Sequence, residues 1–80
     1  MEVYMVDVLP KDYSNPITIG IFSSRDIAVQ ECEKAILEIM EKENEDADFI
    51  ISEINSIREC GDSYYGRVYP FIVDKVYAYV

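Results

Sequence analysis

The chain has no histidine and no tryptophan, two cysteines, three glycines, three prolines, and seven basic residues against sixteen acids. Each shortage closes off a class of function. Without histidine there is no imidazole base, no Ser-His or Cys-His nucleophile pair, and no access to the commonest metal ligand. Two cysteines far apart in sequence cannot build a structural zinc site alone, and a disulfide framework needs more of them. Gly20, Gly61 and Gly66 are too dispersed to form a phosphate-cradling loop. A formal net charge of -9 argues against nucleic acid or an anionic membrane as partner, because both require clustered Lys and Arg. No apolar run approaches the roughly 18 residues of a membrane span. The opening stretch MEVYMVDVLP lacks the basic region of a signal peptide. The expectation is a cytoplasmic chain with free thiols, no metal, no cofactor and no catalytic residue.

What is present points to one small α+β domain over residues 1–80. Half of the residues are apolar, enough for a core. A chain of this size buries only about 60% of its unfolded surface, which leaves little room for a deep cleft. Residues 2–9 are rich in β-formers and end at Pro10. Residues 10–16 hold turn residues, and 17–22 (ITIGIF) alternate as a strand, so the two strands read as an antiparallel hairpin. Ser23 with Asp26 is a variant capping box, and Ser24 is a competing N-cap. A helix follows to about residue 42, with Ala28, Val29, Cys32, Ala35, Ile36, Ile39 and Met40 in one arc about 140° wide. Ile27 and Leu37 fall outside that arc, as peripheral packing or as a partner contact. Residues 49–58 (FIISEINSIR) read as a third strand, 59–66 as a loop, and 67–80 as a long final strand in which Pro70 marks an edge or a bulge. The expected fold is ββαββ: a four-stranded, mainly antiparallel sheet with one helix packed on one face.

One helix covers one face of such a sheet and leaves the other bare. The last strand alternates Val68, Ile72, Val76, Ala78 and Val80 with Tyr69, Phe71, Val73, Tyr77 and Tyr79. The aliphatic set suits packing under the helix, and the aromatic set can face water or a partner. The first strand offers Tyr4, Val6 and Val8 against Val3, Met5 and Leu9. Tyr4, Tyr69, Phe71, Tyr77 and Tyr79 are the expected dimer or partner face, since a large exposed apolar patch marks an interaction surface. A second copy is the commonest occupant. The competing expectation is a monomer whose 10–16 and 59–66 connections fold over that face. An RNA-stacking face is disfavoured because the strand lacks flanking basic residues.

Charge is concentrated too. Glu31, Glu33, Glu38, Glu41, Glu43, Glu45, Asp46 and Asp48 are offset only by Lys34 and Lys42. They read either as a solvated, solubilising helix face or as an anionic surface for a basic partner, with Glu31, Glu38, Glu41, Glu45, Asp46 and Asp48 as its contacts. A calcium loop starting at Asn44 fails, because Phe49 stands where Gly is needed and Asn55 where Glu is needed.

The run Ile19-Gly20-Ile21-Phe22-Ser23-Ser24-Arg25-Asp26-Ile27-Ala28 resembles the strand-to-helix junction, "GIFSSRExA"-like, of a small uncharacterised domain family of bacteria and their phages. Asp26 stands where that family has Glu, and NEDADF follows the helix where the family is rich in Gly and Pro. The resemblance implies no catalytic residues. Small size and high acidity are also similar in type to phage-encoded inhibitors of host proteins. The leading expectation is therefore a non-enzymatic acidic interaction protein, phage-borne, that binds and inhibits a host defence or nucleic-acid-handling protein. One alternative is a homodimer holding a nucleotide or metabolite, with Arg25 as an anion contact at the helix N-terminus beside Arg58, Arg67 and Tyr64. Another is a structural homodimer with no inhibitory role.

Overall fold

The computed structural model describes residues 2–72. Two strands, β1 (Glu2–Val8) and β2 (Ile17–Phe22), are followed by two helices, α1 (Arg25–Lys42) and α2 (Ala47–Cys60), and a closing strand, β3 (Gly66–Ile72). The class is α+β, but the order is ββααβ. Among the described residues the sheet has three strands in the order β2-β1-β3, each neighbour antiparallel.

The expected strand at residues 49–58 is instead the body of α2, and the local chemistry shows why. The Asp46 carboxylate accepts the Phe49 N–H at 2.8 Å as N-cap. Gly61 ends the helix in the left-handed region at φ 73, where a side chain is strained. Between the caps, Phe49, Ile50, Glu53 and Ile57 recur at helical spacing and face inward, with Glu53 and Ile57 buried. The long strand expected over 67–80 appears as β3 through Ile72; its remainder, with Tyr77 and Tyr79, lies outside the described residues.

Helix α1 follows its sequence pattern closely. Ser24, not Ser23, is the N-cap, accepting from the Ile27 N–H at 3.4 Å. Ala28, Val29, Cys32, Ile36 and Met40 are buried against the sheet. They meet Val6 and Val8 from the central strand, Val68 from β3 and Ile57 from α2 in one core. Each large apolar side chain fully buried there contributes about 1.5–3 kcal/mol. Both helices therefore lie on one side of the sheet. Gly66 lets α1 approach β3, since a Cβ at that position would sit 2.7 Å from Ile36 Cγ2 and 3.0 Å from Cys32 Sγ.

The register of β1 with β2 slips between Val6 and Asp7: Val6 opposes Gly20, whereas Asp7 opposes Thr18. Ile19 is thus an extra residue, a β-bulge in an edge strand.

Candidate functional site

Antiparallel pairing puts opposed residues on the same face, so the register defines the two sides of the sheet. Tyr4, Val6 and Val8 oppose Pro70, Val68 and Gly66 on the helix side. Val3, Met5 and Asp7 oppose Phe71, Tyr69 and Arg67 on the other side, joined by Ile21 and Thr18 from β2. Among the described residues nothing covers the centre of this second side. Ile21 is 60% exposed and Phe71 51%.

The bare face is polar at one end. The Asp7 carboxylate is nearly buried, and its Oδ1 accepts the Thr18 hydroxyl at 2.8 Å and its Oδ2 the Tyr69 hydroxyl at 3.2 Å. The Arg67 guanidinium lies 4.8 Å over the Tyr69 ring, a cation–π contact. Burial beside the Asp7 anion raises the Tyr69 phenol above its ordinary value. Loop residues Asp62–Tyr64 and Pro16 gather only at this end, beside a shallow groove lined also by Leu9 and Gly66. The expected folding of both connections over the whole face is not what the chain does. The face is therefore apolar in its middle and close to neutral, with Asp7 opposite Arg67.

The structure divides the aromatic set expected here. Tyr69 and Phe71 share the bare face. Tyr4 does not: it lies on the helix side, packed against the core, with its hydroxyl donating to Glu2 at 2.7 Å. That placement corrects its grouping with the other two. Ile21, Met5 and Val3 take its place.

The acidic set is divided as well. Glu38, Glu41 and Asp48 are exposed. Glu31 pairs with Lys34 at 3.3 Å. Asp46 serves as the α2 cap, and Glu45 Oε2 accepts the Tyr65 hydroxyl at 2.6 Å. Two of the six expected contacts thus have structural work. Glu43 holds the β1–β2 connection by accepting the Lys11 N–H at 3.0 Å. Among the described residues no group of acids and thiols could hold a metal ion.

The basic set does not assemble into one anion site. The Arg25 guanidinium reaches across to the Arg58 carbonyl at 3.4 Å, placing positive charge at the C-terminal end of α2, where the helix dipole favours it. Arg58 donates twice to Glu33 Oε1, at 3.1 and 2.8 Å. Arg25 and Arg58 share a groove with Glu33, whereas Arg67 and Tyr64 line the other groove, at the end of the sheet.

One residue that sequence reasoning passed over is Glu53. It is 6% exposed, and its two oxygens accept the Tyr65 N–H at 2.8 Å and the Tyr64 N–H at 3.2 Å. The carboxylate fastens the loop before β3. A single acid among apolar residues at helical spacing was its only signal.

The two thiols are opposite in character. Cys32 is buried and Cys60 exposed, and burial pushes the Cys32 thiol from its ordinary value near 9 up to about 12. A disulfide-exchange reagent at pH 8 should label one thiol per native chain and two in denaturant; two fast native thiols would contradict the packing of α1. Because the folded chain holds the Cys32 proton more tightly than the unfolded chain, its contribution to stability is complete below about pH 9 and is lost as pH rises toward about 12.

No described helix is long and apolar enough to cross a membrane. Comparison of the chain with family models, curated proteins and solved structures finds no match.

Proposed function

We propose that this chain is a non-enzymatic interaction protein that docks an apolar patch of a partner protein on its bare sheet face. One observation carries the reading: Val3, Met5, Ile21, Tyr69 and Phe71 form a contiguous face that the helices leave uncovered. Exposed apolar surface of this kind is characteristic of interfaces, and aromatic side chains anchor them. The neutral face favours a partner with an uncharged patch, and the helix acids act at longer range by repelling anionic surfaces. The carboxylate at the end of the face, Asp7, already has both oxygens hydrogen-bonded, which fits a docking role better than acid–base chemistry. Inhibition of a host protein follows in this reading from occupying its patch.

The test compares two variants in affinity capture followed by measured binding to the captured protein. Ile21→Glu with Phe71→Glu should weaken binding about 100-fold while leaving the far-UV circular dichroism unchanged. Glu38→Lys, Glu41→Lys and Asp48→Lys together should alter chiefly the salt dependence. If the acid reversal abolishes capture and the sheet variant does not, the partner is basic and the bare face is not the site.

A further inference from the structure

The outer edge of β2 has a pattern that the docking role does not use. Among the described residues β2 pairs with β1 alone, so its other edge presents free N–H and C=O groups. Its sequence, ITIGIF, carries no charge, although 29% of the chain is charged. Edge strands are ordinarily protected by Lys, by Pro or by a bulge, and β2 has only the bulge.

That bulge changes the order of side-chain faces. Ile17, Gly20 and Phe22 lie on the helix side, opposite Val8, Val6 and Tyr4. Thr18 and Ile21 lie on the bare side, opposite Asp7 and Met5. The pattern around the bulge reads the same from either end: Ile17 matches Phe22, and Thr18 matches Ile21. In a regular strand each of these pairs would fall on opposite faces. An added antiparallel strand must oppose residues of like face. A two-fold interface must pair residue i with j and j with i. A second β2 meets both conditions along its whole length in the register that sets Ile17 opposite Phe22 and Thr18 opposite Ile21, with the two bulges meeting at the axis.

We propose that two copies of the chain join through β2 in this register, forming one six-stranded sheet ordered β3-β1-β2-β2-β1-β3. All four helices then lie on one side and the two bare faces merge on the other. Size favours the arrangement. Three strands of six or seven residues present a face of about 300 Å². A standard interface takes about 800 Å² per partner. Two joined faces approach that area, so the second copy completes the docking surface proposed above. The edge pairing itself holds whether or not that surface takes a partner.

Sedimentation of the unaltered chain should show a dimer at micromolar concentration. Ile19→Lys and Ile19→Glu, each placing like charges near the axis, should weaken dimerisation about 100-fold, and an equimolar mixture of the two should restore it. Phe71→Glu, on the bare face and away from the edge, should remain dimeric. Hydrogen exchange on the unaltered chain gives an independent check, because β2 amides should gain protection as concentration rises. An unaltered chain that stays monomeric at high micromolar concentration would overturn the proposal. So would a dimer that persists in Ile19→Lys, or one that Phe71→Glu dissociates, which would mean that the copies stack face to face.

Discussion

Tyr65→Ala should leave most of the chain unfolded at 25 °C. Tyr65 is fully buried, and its ring meets Phe49 edge-on at 6.0 Å and Tyr64 at 5.2 Å. Truncating a buried aromatic costs about 3–5 kcal/mol. The loss is compounded because Glu45 forfeits its hydroxyl donor. At about 0.05–0.15 kcal/mol per residue, a chain this short has little stability to spare. Tyr65→Phe separates the terms: it keeps the ring and removes only the hydrogen bond, costing about 1.5–3 kcal/mol. Urea unfolding followed by circular dichroism at fixed protein concentration measures both variants. A Tyr65→Ala midpoint close to that of the unaltered chain would mean that Tyr65 is not the keystone between α2 and the sheet. The Tyr65 phenol is also held well above its ordinary value, first by burial and then by the Glu43 and Glu45 carboxylates. Its raised value acts in the same sense as that of Cys32. The contribution is complete below about pH 10 and declines in stronger alkali.

Glu53→Ala is the second large effect, and it works through the backbone. The carboxylate is the hydrogen-bond acceptor for the Tyr64 and Tyr65 N–H groups. Its removal strands both donors, at about 1–3 kcal/mol for each that stays buried. The expected result is a destabilisation of about 2–5 kcal/mol, with exchange protection lost first at those two amides. Glu53→Gln keeps one acceptor oxygen and turns an amide NH2, itself a donor, toward the other N–H, so it should fall between Glu53→Ala and the unaltered chain. If Glu53→Ala exchanges like the unaltered chain at Tyr64 and Tyr65, water replaces the carboxylate and the loop is held by other means.

Much of this fold was legible because local signals agreed with one another. In α1 the stripe from Ala28 to Met40 and the end expected near residue 42 agreed with each other, and only the choice between Ser23 and Ser24 as cap was left open. The two faces of β1 and β3 followed from simple alternation, and the division of Tyr69 and Phe71 from Val68 and Ile72 came with it. The failure at residues 49–58 has a definite cause. Four isoleucines and a phenylalanine favour a strand by propensity and fit two-residue alternation poorly, with apolar side chains falling on both faces. The caps lay outside that window, at Asp46 and Gly61, and the inward acid Glu53 broke up the helical spacing inside it. Tertiary contacts also redistributed the candidate site. Nothing local shows that Glu45 would be drawn to Tyr65, or that the extra residue in β2 would bring Ile21 onto the same face as Tyr69.

The strand order carries a consequence for synthesis. Because β1 lies between β2 and β3, its pairing partners stand at the two extremes of sequence separation: Met5 meets Ile21 within the hairpin and Tyr69 across nearly the whole chain. On the ribosome the hairpin and both helices emerge before the strand that completes the sheet. Until Gly66–Ile72 arrives, β1 has one open flank and the core lacks Val68. Such long-range closure slows folding and exposes unpaired edge to other nascent chains. The chain's acidity has a use at that stage: like charge keeps a hairpin that is waiting for its last strand apart from its neighbours on the same message.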